Sequence, residues 1–276
     1  MYKILIILSK KDFLKKKVEN YFENISYKNH EKKWKIEIFS KSIYQDKNFL
    51  EFVLKIKILK VEKIKNKNWL SFFKRTISDV QTERFLITQK KKSDLRNNIF
   101  IPASTAFGTG AHPSTYLSIK NIEMILKRTK KSNLKFLDVG TGTGILSFIT
   151  YKMCKTKITA IDIDNESHKC FKRNAKLNLI NNYNFYCCNG FNSIYLVRKK
   201  YNLIISNILL RGLKGLAKGF RDHLVEGGVL IISGIDKFQK NEIVIFYSKF
   251  NLKLLKSIYI ENWVSLIFKK NAKYKQ

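Results

Sequence analysis

Acidic residues are scarce in this 276-residue chain: 21 Asp+Glu stand against 54 Lys+Arg, for a formal net charge of +33. Such an excess points either to an anionic partner such as RNA or to compositional bias in a chain rich in lysine, asparagine and isoleucine. Residues 1–100 hold 25 basic and 11 acidic side chains and residues 101–276 hold 29 and 10, so no basic arm stands out. Proline is nearly absent, and Pro102 and Pro113 both stand at the entrance to one segment. The four cysteines, Cys154, Cys170, Cys187 and Cys188, lack metal-ligand spacing. They read as thiols in a reducing compartment, and no metal site is expected. No run of about 18 apolar residues occurs, so no transmembrane span is expected. The apolar start, Met1 to Leu8, is too short for a signal segment and is followed by Lys10 and Lys11, which suits a buried strand. A cytoplasmic protein is expected.

Apolar residues are plentiful at 45%, and the length suffices for a large α/β domain plus a smaller one. Residues 2–8, 34–40 and 53–63 read as strands and 11–24 as a helix, together a small α+β domain over 1–63. Residues 64–97 are lysine-rich with isolated aromatics and read as a linker containing a short helix and a strand at 83–88. From residue 98 onward, apolar runs at 135–139, 157–161, 183–187, 201–206 and 228–233 alternate with helical spacings at 114–128, 144–153, 165–178 and 209–223. That alternation predicts a parallel, doubly wound sheet over 98–276. Residues 252–260 and 262–268 are too close together for a crossover helix and must form an antiparallel hairpin. A parallel sheet closed by such a hairpin is the arrangement of class I methyltransferases, a Rossmann-like seven-stranded α/β fold.

The strand Lys135 to Val139 runs into Gly140-Thr141-Gly142-Thr143-Gly144 and then a helix. Glycines there permit a tight turn and let a ligand approach the backbone. The dinucleotide fingerprint would need a glycine where Ile145 stands, and the segment lacks the Gly-Lys-Ser/Thr ending of a phosphate loop. The next strand ends in Asp162-Ile163-Asp164. An acid at that tip suits the two hydroxyls of a ribose, and Asp162 takes this role while Asp164 can cap the following helix. A close backbone and a ribose acid, with nothing for phosphate, match S-adenosylmethionine.

Two further segments, Thr105-Ala106-Phe107-Gly108-Thr109-Gly110-Ala111-His112-Pro113-Ser114-Thr115 and Ser206-Asn207-Ile208-Leu209, make the chain resemble the ribosomal protein L-eleven methyltransferase family (PrmA). Gly234-Ile235, the closing Glu261-Asn262-Trp263-Val264 and the aromatic Asn68-Trp69 with Phe73 strengthen the likeness. The resemblance covers about residues 64–270. It implies a ferredoxin-like recognition domain, shortened here, then a linker and a class I catalytic domain. It further implies transfer of methyl groups to lysine ε-amines and the N-terminal α-amine of a ribosomal protein, free or on the large subunit. Carried over by position, cofactor contacts fall on Thr115, Gly140, Asp162 and Asn207, with Gly142 and Thr109 as further candidates. Ala111 stands where the family usually has threonine, and Leu210-Arg211-Gly212 where a small residue and proline are more usual.

Pro113 suits the first turn of a helix, whose free N–H groups and dipole could hold the cofactor's carboxylate. Asn207 could position the cofactor or the amine through its side-chain oxygen. His112 is a candidate proton acceptor, with a helix-capping role as the alternative. No aromatic residue follows Asn207 to stack on a flat base or amide, which argues against adenine or glutamine as substrate. An rRNA or tRNA methyltransferase of the same fold is the competing expectation, with rRNA contact through the basic surface, and a non-catalytic RNA-binding relic is a third.

Overall fold

The computed structural model describes residues 2–9, 12, 18, 25–30, 33–40, 43–63, 79–89, 97–102, 110–128 and 134–271. The chain divides into two compact units, 1–76 and 77–276.

In the first unit, β1 (Tyr2–Ser9), β2 (Ile25–His30), β3 (Lys33–Ser40) and β4 (Ile58–Lys63) form one antiparallel sheet in the order β2-β3-β1-β4. That is the strand order of a ferredoxin-like sheet. Alternation dictates its one-sided core. Ile4, Ile6 and Leu8 of β1 and Trp34, Ile36 and Ile38 of β3 are buried with Leu50 and Ile56. The opposite face carries charge: Lys3 lies 3.7 Å from Glu37 and 3.1 Å from Glu62 on the two flanking strands. The strand expected over 53–63 begins only at Ile58, as β4; before it come α1 (Ile43–Asn48) and a π-helical turn (Phe49–Val53), which takes up the first residue of the expected strand. Strand β2 was not legible in the sequence, and most of the helix expected at 11–24 lies outside the described residues.

The second unit begins with a three-stranded sheet of β5 (Val80–Gln81), β6 (Leu86–Thr88) and β7 (Asn98–Phe100). Its main sheet has seven strands in the order β10-β9-β8-β11-β12-β14-β13. These are β8 (Phe136–Val139), β9 (Ile158–Asp162), β10 (Tyr183–Cys187), β11 (Tyr201–Asn207), β12 (Leu224–Asp236), β13 (Leu252–Ile260) and β14 (Trp263–Lys270). All neighbours from β10 to β12 are parallel, while β14 and β13 pair antiparallel. This is the class I methyltransferase fold.

Helices α2 (Pro113–Arg128), α3 (Ile145–Cys154), α4 (Asn165–Leu177), α5 (Leu210–His223) and α6 (Lys240–Ser248) cover the two faces. Each central strand feeds both cores: Leu203 and Ile205 pack with Ile119, Ile145 and Phe171, while Ile204 packs with Leu213, Phe220 and Tyr247. Burial on both faces is why these strands read as continuous apolar runs. The order in which successive strands are added reverses between β8 and β11, and ligands of such sheets bind beyond the carboxyl ends of the strands at that switch point. Among the described residues, no helix is long and apolar enough to cross a membrane.

Candidate active site

The turn after β8 is held to the neighbouring strand tip by backbone bonds. Gly140 N and Thr141 N donate to the Ile161 carbonyl at 2.9 and 3.2 Å, and Gly142 N donates to Asp162 Oδ2 at 2.9 Å. Asp162 Oδ1 accepts from Asp164 N at 3.0 Å. The carboxylate thus bridges the glycine turn and the entry to α4, and each oxygen keeps lone pairs for further donors. Asp164 is the N-cap of α4, its side chain accepting from Glu166 N at 2.9 Å. Between the two acids Ile163 is 68% exposed, an apolar side chain left open at a strand tip. Sequence reading passed over it; an apolar residue between two acids at a strand end was the available signal.

The glycines divide into different roles. Gly140 has φ +72°, and a Cβ there would stand 2.4 Å from Ile208 Cγ2. Gly144 has φ +87°, and its Cβ would meet Phe148 at 2.5 Å and Phe171 at 2.7 Å. Their missing side chains therefore make room for the protein's own hydrocarbon. Gly142, at φ +54°, spends its N–H on Asp162.

Asp138 lies fully buried beneath the turn. Its Oδ2 accepts from the Thr141 and Ser147 hydroxyls, both at 2.7 Å. Burial pushes its pKa up to about 6 despite those hydroxyls, with the nearby Asp162 charge adding to the rise. The folded value exceeds the unfolded one, so ionisation works against folding. This group's contribution is most favourable below about pH 4 and is lost as the pH rises through about 6. Asp138→Asn removes that loss. Relative to the parent, it should gain on the order of 2 kcal/mol between pH 4 and pH 7 in denaturant unfolding. An equal difference at both pH values would contradict the assignment.

Across the turn, Asn207 ends β11 with its side chain on the α2 side. Its Nδ2 donates to Thr115 Oγ1 at 3.1 Å, and its Oδ1 is buried without a partner among the described residues. Thr115 is fully buried in the first turn of α2. Next to Asn207, in register on β12, Ser233 donates to the Ser114 carbonyl at 2.9 Å. Thr109, with Phe107 and Gly108, lies outside the described residues.

His112 caps α2. Its Nδ1 accepts from Ser114 N at 3.3 Å and lies 2.8 Å from Ser114 Oγ, which places the neutral ring's proton on Nε2. Burial pulls its pKa down to about 4. The ring stands edge-on to Trp263, 4.5 Å between centroids, which ties the start of β14 to the start of α2. In this geometry Nδ1 is engaged at the start of α2, a capping contact.

The family described as ribosomal protein L11 methyltransferase (PrmA) matches residues 6–271. The chain belongs to the PrmA family. Among relatives named "Ribosomal protein L11 methyltransferase", one from Campylobacter jejuni subsp. jejuni serotype O:23/36 (strain 81-176) is 33% identical over 250 residues, 87% of this chain and 82% of that protein. Another, from Campylobacter lari, is 38% identical over 223 residues, 77% of this chain and 73% of that protein. A solved ribosomal protein L11 methylase from Lactobacillus delbrueckii subsp. bulgaricus, 26% identical, superposes with a TM-score of 0.62 over 71% of this chain and all of that one. As a PrmA protein, the chain is an S-adenosylmethionine-dependent methyltransferase. The unpartnered Asn207 oxygen, the Asp162 carboxylate with lone pairs to spare and the exposed Ile163 fit that cofactor's ammonium, ribose and adenine.

Proposed function

We propose that this PrmA protein methylates lysine ε-amines and the N-terminal α-amine of ribosomal protein L11 in the cytoplasm. The observation that carries this reading is the extent of the family match: residues 6–271 include the small sheet as well as the catalytic unit. A likeness confined to the cofactor site would have supported methyl transfer and nothing about the acceptor. In this reading unit 1–76, with residues 1–63 as its folded domain, recognises the ribosomal protein, and unit 77–276 catalyses, so that the part of the expected 64–97 linker carrying β5 and β6 goes with the catalytic unit.

In the catalytic unit, Asp162 takes the ribose hydroxyls and Ile163 lies against the adenine. Thr115 and the Asn207 oxygen orient the amino-acid end of the cofactor or the incoming amine, while Gly140 and Gly142 shape the turn beneath it. S-adenosylmethionine, when bound, supplies an electrophilic methyl group on a sulfonium sulfur, which departs as a neutral thioether. The attacking amine must be neutral, and a free lysine has a pKa of about 10.4. His112, held near pKa 4 with its Nδ1 engaged as a cap, is roughly six units too weak to take that proton. The proton therefore leaves to solvent before transfer. The rate under limiting substrate should rise about tenfold per pH unit between pH 7 and 9, a slope of one until the amine is mostly neutral. His112→Asn keeps a capping side chain and should keep that slope. A slope that disappears in the variant would assign His112 the base role.

The functional reading is tested by incubating the protein with methyl-labelled S-adenosylmethionine and large-subunit ribosomal components, then separating protein from RNA. Label is expected in L11. Label confined to rRNA would instead support the RNA methyltransferase suggested by the +33 charge and would overturn the protein-substrate reading.

A further inference from the structure

Ile208 follows Asn207 and has no role in the proposed chemistry, yet three glycines from three elements make room for it. A Cβ on Gly140, in the turn after β8, would lie 2.4 Å from Ile208 Cγ2. A Cβ on Gly212, in the first turn of α5, would lie 2.9 Å from Ile208 Cδ1. A Cβ on Gly234, in β12, would lie 2.5 Å from the Ile208 carbonyl oxygen and 3.0 Å from Asn207 Oδ1. Gly212 is otherwise an odd choice, because glycine costs a helix about 1 kcal/mol relative to alanine. Its φ is not positive, so backbone conformation does not require it. Room for the tip of the Ile208 side chain favours it.

Resting on the cofactor site proposed above, we propose that Ile208 is a positioning residue that couples the glycine turn to Asn207. One end of its branched side chain bears on Gly140, the other on Gly212, and its own backbone carries Asn207 one residue upstream. Packed side chains transmit displacement because interiors are close-packed. A change at Gly212 therefore reaches both the cofactor turn and the unpartnered Asn207 oxygen without touching either. The volume of residue 208 sets the spacing between the turn under the methyl donor and the side chain that orients the amine.

The test uses Gly212→Ala, Ile208→Val, their combination and Ile208→Ala in the full chain. The readouts are S-adenosylhomocysteine affinity by calorimetry, melting temperature, and kcat and KM on L11. Gly212→Ala adds a methyl group that pushes only the tip of the Ile208 side chain, so the fold tolerates it, and better helix propensity holds or raises the melting temperature. Affinity and kcat are nonetheless expected to fall at least tenfold. Ile208→Val removes Cδ1, the atom in conflict, and in combination should restore most of that loss. Ile208→Ala empties the space without a clash and should lower kcat at least tenfold with little change in KM for L11. A purely structural role predicts the reverse, with melting temperature falling and kcat spared. Gly212→Ala with parental affinity and kcat, or a double variant no better than the two single losses combined, would overturn the inference. A parent protein that binds no S-adenosylhomocysteine would overturn the cofactor-site reading itself, and this inference with it. A parent that binds normally beside unaltered variants overturns the inference alone.

Discussion

Asp162→Ala is expected to weaken S-adenosylhomocysteine binding by about 100- to 1,000-fold, measured by calorimetry on a protein that remains folded. The carboxylate faces two tasks. In the proposed site it accepts the two ribose hydroxyls, and hydrogen bonds to a charged group contribute roughly 1.5–3 kcal/mol each. It also accepts from Gly142 N and Asp164 N, so its loss frees the glycine turn and the entry to α4 together. About 3–4 kcal/mol in all corresponds to the stated range. Asp162→Asn keeps one acceptor oxygen and should fall between the parent and the alanine variant. Affinity unchanged in Asp162→Ala would remove Asp162 from the site.

Asn207→Ala should lower kcat by about 100-fold, the scale at which loss of one fixed polar group in an active site is felt. The structure separates the side chain's two ends. The amide nitrogen is engaged by Thr115 at 3.1 Å, leaving the carbonyl oxygen buried without a partner among the described residues. Burying an acceptor without a partner costs about 1–3 kcal/mol, which a bound donor would recover. Folding stability should change little in Asn207→Ala, because removing the orphaned oxygen offsets loss of the bond to the buried Thr115 hydroxyl. Thr115→Val removes the hydroxyl that orients the amide and should reduce kcat in the same direction by a smaller factor. If Asn207→Ala unfolded the protein while Thr115→Val left kcat untouched, the pair would be a packing feature.

Much of the catalytic unit was legible in the sequence because its strands are buried on both faces and its helices are amphipathic. The terminal hairpin followed from length alone, since β13 and β14 are joined by two residues, Glu261 and Asn262. Asp162 and Asp164 could be told apart because one ends a strand and the other starts a helix. The glycines could not be apportioned. A sequence shows that Gly140 and Gly144 lack side chains, but Ile208, which fills the space at Gly140, is 68 residues downstream, and Phe171 lies across a helix and a strand from Gly144. His112 was equally open, because capping depends on where one ring nitrogen points. In the small unit β2 was missed because Ile25-Ser26-Tyr27-Lys28-Asn29-His30 has too few apolar residues to alternate clearly. Helix α1 and its π-helical turn were missed because Phe49, Leu50, Phe52, Val53 and Leu54 form an apolar run without a clear period.

Transfer of methyl groups to purified L11 tests the account most directly. L11 is incubated with S-adenosylmethionine and either the parent protein or Asp162→Ala, and the products are resolved by mass spectrometry of the intact protein and its peptides. The account predicts whole methyl increments on lysine and N-terminal amines with the parent, and loss of nearly all of them with Asp162→Ala. Unmodified L11 with an active parent, or equal modification by both proteins, would contradict it.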